Sequence, residues 1–93
     1  MYIAYPLAIS QNVADKILRK HRITIDDVEA SIRTRDQYVR KGRGKNIYEV
    51  LTRAPSGLYL RVVLRNTGGA NYKLITALPM TDTERKYYAT KKQ

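Results

Sequence analysis

Cysteine is absent from the 93-residue sequence and histidine occurs once. Disulfides and thiolate metal centres are therefore excluded, and a single histidine cannot build an ordinary zinc site. Nothing in the chain asks for a cofactor. The lack of cysteine suits a reducing compartment. Long apolar runs are missing too, since none approaches the ~20 residues that cross a bilayer. Met1–Ser10 is too short for a signal peptide and lacks its basic start. A soluble, cytoplasmic protein with no membrane partner is expected. Familiar catalytic signatures are also missing, among them G-x-S-x-G and H-E-x-x-H. Gly42-Arg43-Gly44-Lys45 is no P-loop, because it lacks the earlier glycine and the Ser/Thr after the lysine. Acid is scarce: eight Asp and Glu stand against 18 Lys and Arg, a formal net charge of +10.

What remains is enough for one domain, spanning residues 1–93, with 43% hydrophobic residues to fill a modest core. So basic a domain repels itself unless a partner uses the field. A polyphosphate does so, because binding releases condensed counterions, and RNA is the expected ligand.

Periodicity gives an element order. Met1–Ile9 has the residue types of a short strand, which Pro6 confines to an edge or a break. Ser10 can cap a helix from Gln11 to His21, whose apolar face is Val13, Ala14, Ile17 and Leu18. Thr24 can cap a second helix, with Asp26, Asp27 and Glu29 near the positive end of its dipole and Ile25, Val28 and Ile32 as its stripe. Asn46–Arg53 and Leu58–Arg65 read as strands joined through Pro55-Ser56-Gly57. The glycines of Asn66–Asn71 make a second turn before a strand at Tyr72–Leu78. Thr81 and Glu84 form a capping box for a last helix. The fold class is α+β, in the order β-α-α-β-β-β-α, with two helices packed on an antiparallel sheet.

Two stretches point to a polyanion. In Leu58–Arg65, alternation sets Leu58, Leu60, Val62 and Leu64 toward the helices and Arg61 and Arg65 on the other face, where stiffly held guanidiniums can grip phosphates. Arg33–Lys45 reads as a basic loop in which Arg33, Arg35, Arg40, Lys41, Arg43 and Lys45 can follow an RNA backbone while Tyr38 stacks on a base. His21, the one side chain that ordinarily titrates near neutrality, is a candidate proton carrier; a plain helix-end role also accounts for it.

The chain resembles the BrnT toxins, small ribonucleases of bacterial toxin–antitoxin pairs with a RelE-like fold, and also a closely allied, uncharacterised domain family of similar pattern. The stretches that carry the likeness are Lys20–Val28, Gly57–Arg65, Tyr72–Ala77 and Thr81–Tyr88. The family's basic residue near the start of the last strand is matched by Lys73, and its glutamate and tyrosine on the final helix by Glu84 and Tyr88. Its basic residue at the end of that strand is Leu78 here. The resemblance implies metal-independent RNA cleavage by attack of the ribose 2′-hydroxyl. Arg61, Arg65 and Lys73 would then stabilise the phosphorane, and His21, Tyr88 or a lysine would move protons. It also implies an acidic antitoxin over the basic face and, for some such toxins, action at the ribosome. Two alternatives stay open: an RNA-binding module without catalysis, which Leu78 favours, and an interaction domain for an acidic protein partner.

Overall fold

Three helices and four strands succeed one another in the computed structural model, which describes residues 3–4, 6–34 and 36–91. Helix α1 (Gln11–His21) starts at Ser10, whose Oγ accepts from the Val13 N–H at 3.3 Å. It stops at Arg22, where a positive φ of 57° turns the N–H back onto the Leu18 carbonyl. Helix α2 (Ile25–Arg33) is capped by the Thr24 hydroxyl, 3.1 Å from the Asp27 N–H, and carries Asp26 and Asp27 in its first turn. Strands β1 (Tyr38–Lys41), β2 (Ile47–Arg53), β3 (Tyr59–Gly68) and β4 (Asn71–Pro79) form one antiparallel meander in that spatial order. The β2–β3 turn closes through Ala54 and Leu58, with Gly57 at φ 100° as turn chemistry requires. Helix α3 (Asp82–Lys91) begins with the expected capping box: Thr81 Oγ1 accepts from the Glu84 N–H at 3.1 Å, and Glu84 Oε1 accepts from the Thr81 N–H at 3.0 Å.

The sheet is covered on both faces. On one, Ile17 of α1 and Val28 and Ile32 of α2 pack with Val50, Leu60, Val62, Leu64 and Leu74. On the other, Tyr88 of α3 joins Leu51 and Met80, flanked by Tyr38 and Tyr59. Hence Val50, Leu51 and Thr52 are all buried in succession, where a sheet wet on one side would alternate. The Thr52 hydroxyl is satisfied by donating to the Ser31 carbonyl at 2.8 Å.

The α+β class and the antiparallel sheet agree with the sequence; the element order does not. It runs α-α-β-β-β-β-α. Among its described residues, Met1–Ile9 forms no strand: Ala8 alone bridges, in parallel, to Lys73. Pro6 has no N–H to extend the ladder. The segment is held by two backbone bonds at Ala8, to the Tyr72 carbonyl and from the Leu74 N–H, by the burial of Ile3 and by the Gln37 side chain. Gln37 Oε1 accepts from the Ile3 N–H at 2.9 Å, and Nε2 donates to the Ile3 and Ile32 carbonyls at 2.8 Å. The fourth strand comes from Arg33–Lys45, which is not a continuous loop because Tyr38–Lys41 is β1. The third helix lies across the sheet from the other two. Leu18 and Leu58, expected in the core, are 50% and 41% exposed, the first rotated off the buried stripe of α1 and the second preceding β3 in the turn.

Candidate nucleic-acid interface

The β1–β2 and β3–β4 turns lie at the same end of the meander, tied by a 2.8 Å bond from the Asn66 N–H to the Asn46 carbonyl. The β1–β2 turn is shaped by its glycines. A Cβ on Gly42 would sit 2.8 Å from Ile47 Cγ2, and Gly44 takes φ 97°. The β3–β4 turn is stiffened by Asn66, whose side chain accepts from the Gly68 N–H and donates to the Gly69 carbonyl.

This end is cationic throughout. Residues 41–48 and 64–76 contain Lys41, Arg43, Lys45, Arg65 and Lys73 and no Asp or Glu. Arg65 and Lys73 are directly opposite in the β3–β4 register, with Ile47 opposite Arg65 on its other side. Their neighbours Leu64, Tyr72 and Leu74 point into the α1–α2 core, so both cations stand on the α3 face of the sheet, beyond the half that α3 covers. Like charges placed opposite each other destabilise a sheet by some tenths of a kcal/mol. Among the described residues none of these five cations makes an ion pair or a cation–π contact.

Two other expected cations are engaged internally. Arg40 Nε meets Glu49 Oε1 at 2.9 Å and its Nη2 meets Glu84 Oε2 at 3.1 Å. Arg61 Nη1 lies 3.4 Å from the same Glu84 oxygen and 3.9 Å from Glu49 Oε2. All four side chains are at least two-thirds buried, and Arg61 Nε is buried with no hydrogen-bond partner among the described residues. The quartet joins β1, β2, β3 and α3 at the border of the open half-face. Sequence reasoning placed Arg40 in a loop and did not select Glu49. The Arg40–Glu49 pairing follows from strand register, which the sequence of β1 does not announce.

The remaining candidates are dispersed. His21 ends α1, across the sheet from Arg61, and the two are not brought together. The Tyr88 hydroxyl donates a short hydrogen bond to the Asp36 carbonyl, and burial, then the nearby Asp36 charge, raise its pKa above the ordinary tyrosine range. A hydroxyl so held is a poor base. Tyr38 is packed edge-on to Tyr87, 5.4 Å between centroids, with their hydroxyls 3.0 Å apart, so its ring is taken up by α3. Arg33 sits in the last turn of α2, and Arg35 lies outside the described residues. A cleft of about 440 Å³ beside Tyr59 is lined by Arg53, Tyr88 and Asp36 and does not include Arg65 or Lys73. Among the described residues no three His, Cys, Asp or Glu side chains gather to hold a metal, and no helix is long and apolar enough to cross a membrane.

No protein-family model matches the chain, and comparison with curated proteins finds no match.

Proposed function

We propose that this domain binds RNA through the turn end of its sheet, with Arg65 and Lys73 as the centre of the contact and Lys41, Arg43 and Lys45 beside them. The observation that carries the reading is the cross-strand Arg65–Lys73 pair, two like charges held opposite each other with no acid to neutralise them among the described residues. An unfavourable arrangement of this kind has a use when a phosphate backbone lies across it. The turns supply a held backbone, so little backbone freedom is lost on binding. Titrating single-stranded RNA against the protein at two salt concentrations tests it. Affinity that falls steeply with salt, and falls further when Arg65 and Lys73 are replaced, is expected.

A second reading is metal-independent RNA cleavage, the activity of the RelE-like, BrnT-like toxins whose motifs the chain resembles. It is favoured by the Glu49 carboxylate, which stands beside Arg61 on the face that also carries Arg65. In that reaction a carboxylate would take the proton of the 2′-hydroxyl. The 2′-oxygen would attack phosphorus, and the departing 5′-oxygen would receive a proton from an acid, leaving a 2′,3′-cyclic phosphate. Arg61, Arg65 and Lys73 would offset the charge that develops on the phosphorane. An acidic antitoxin, the ribosome and a cytoplasmic setting belong to this reading. Incubation of labelled RNA with the protein in excess chelator separates the two: cyclic-phosphate products support cleavage, and retention without products supports binding alone.

A further inference from the structure

Glu84 is the only α3 carboxylate that meets the sheet among the described ion pairs, and its two oxygens have different tasks. Oε1 completes the capping box by accepting from the Thr81 N–H. Oε2 is the point on which two guanidiniums from different strands converge, Arg40 Nη2 at 3.1 Å and Arg61 Nη1 at 3.4 Å. Two arginines aimed at a single anionic oxygen is how phosphate oxygens are held. The pair is also short of acceptors, because the buried Arg61 Nε finds none among the described residues. Glu84, tied to the cap through Oε1, does not reach that donor. A phosphodiester brings two non-bridging oxygens, neither of them tied to the cap.

We propose that Arg40 and Arg61 form a phosphodiester site for RNA that Glu84 occupies in the free protein, so that the last helix competes with the ligand for its own anchoring arginines. The site borders the open half-face that carries Arg65 and Lys73, and a strand bound there would reach it along β3. Entry of the phosphate needs the Glu84 side chain to swing away, not α3 to leave, since Met80 and Tyr88 keep the helix packed on Leu51. Glu49 stays on Arg40 Nε, so the vacated site retains one net positive charge for the incoming group. Competition of this sort lowers apparent affinity by the fraction of molecules in which the site is free.

The inference rests on the RNA reading, and the test separates the two. Binding of a single-stranded oligouridine is measured at fixed salt for the wild type, Glu84→Gln, Glu84→Asp and Asp82→Asn. Gln keeps the capping box and gives up the charge; Asp keeps the charge but is one methylene too short for both arginines. Asp82→Asn makes the same charge change on the same helix, at a residue with no ion pair to the sheet among the described residues. Glu84→Gln should bind roughly three- to thirtyfold more tightly, Glu84→Asp should show part of that gain without any change in net charge, and Asp82→Asn should gain less than about twofold. Adding Arg61→Ala should abolish the Glu84→Gln gain. Equal affinities for Glu84→Gln and Asp82→Asn, with Glu84→Asp unchanged, would overturn the competition while leaving RNA binding intact. Absence of binding by all four proteins at low salt would overturn both. Should Glu84→Gln fail to fold, Glu84→Asp alone decides, a gain supporting the competition and no gain refuting it.

Discussion

Lys73 is where stability and function pull apart most clearly. It faces Arg65 across β3 and β4 with no acid between them. Lys73→Glu would turn a like-charged cross-strand pair into an opposite one, so it should raise stability by about 0.5–1 kcal/mol in urea unfolding. The same change should weaken RNA binding roughly tenfold at moderate salt. A variant that is both less stable and equally good at binding would mean that the two side chains do not share a face. Tyr88 carries the opposite lesson, that a residue singled out for chemistry can be structural. Its hydroxyl is neutral and bonded to the Asp36 carbonyl, with a pKa raised first by burial. The unfolded chain ionises near pH 10, and the folded one resists until a higher pH. The stabilisation is therefore complete below pH 10 and is lost as pH rises through the folded value. Tyr88→Phe should cost about 1–2 kcal/mol at neutral pH and should show a shallower fall between pH 9 and 11 than the wild type. Parallel stability curves for the two proteins would contradict this. Leu60, fully buried at the centre of the sheet, should cost about 2–5 kcal/mol as Leu60→Ala.

At the scale of elements, the sequence was most legible where local chemistry decides. Ser10, Thr24 and Thr81 mark three helix starts, and all three hydroxyls accept the bonds expected of them. The alternation of Leu60, Val62 and Leu64 with Arg61 and Arg65 fixes the faces of β3, and with them the Arg65–Lys73 half of the candidate interface. What was not legible depends on distant partners. β1 is four residues inside a basic run, and its Arg40 lies opposite Glu49 in a register that no local signal gives. The N-terminal segment has strand-like composition, yet tertiary contacts through Ile3, Leu7 and Gln37 determine its path. Helix α3 has one buried residue, Tyr88, and so no apolar stripe to say which face of the sheet it covers. The Arg40–Glu49–Arg61–Glu84 quartet follows from that placement and was hidden for the same reason. Gln37→Ala should release the N-terminal segment, destabilising the protein by about 1–3 kcal/mol because the buried Ile3 N–H and carbonyl lose their partners. Faster hydrogen exchange at Ile3, with little change in β2 and β3, is the expected pattern.

For the molecule as a whole, the net charge of +10 is not spread evenly over what it can do. Arg40 and Arg61 are neutralised by Glu49 and Glu84, and Arg53, Arg85 and Lys91 lie over tyrosine rings. Lys41, Arg43, Lys45, Arg65 and Lys73 gather at the turn end with no ion pair or ring contact among the described residues, and RNA binding there is the central claim. The most direct measurement is the affinity for single-stranded RNA between 50 and 200 mM salt, with and without Arg65→Ala/Lys73→Ala. With about five phosphates neutralised, log K should fall against log salt with a slope of about −3.5, a loss of roughly 100-fold over this range. The double substitution should lower the slope by about 1.4, as two phosphate contacts disappear. A wild-type affinity that is undetectable at 50 mM salt, or a slope that the double substitution leaves unchanged, would contradict the assignment of this surface to RNA.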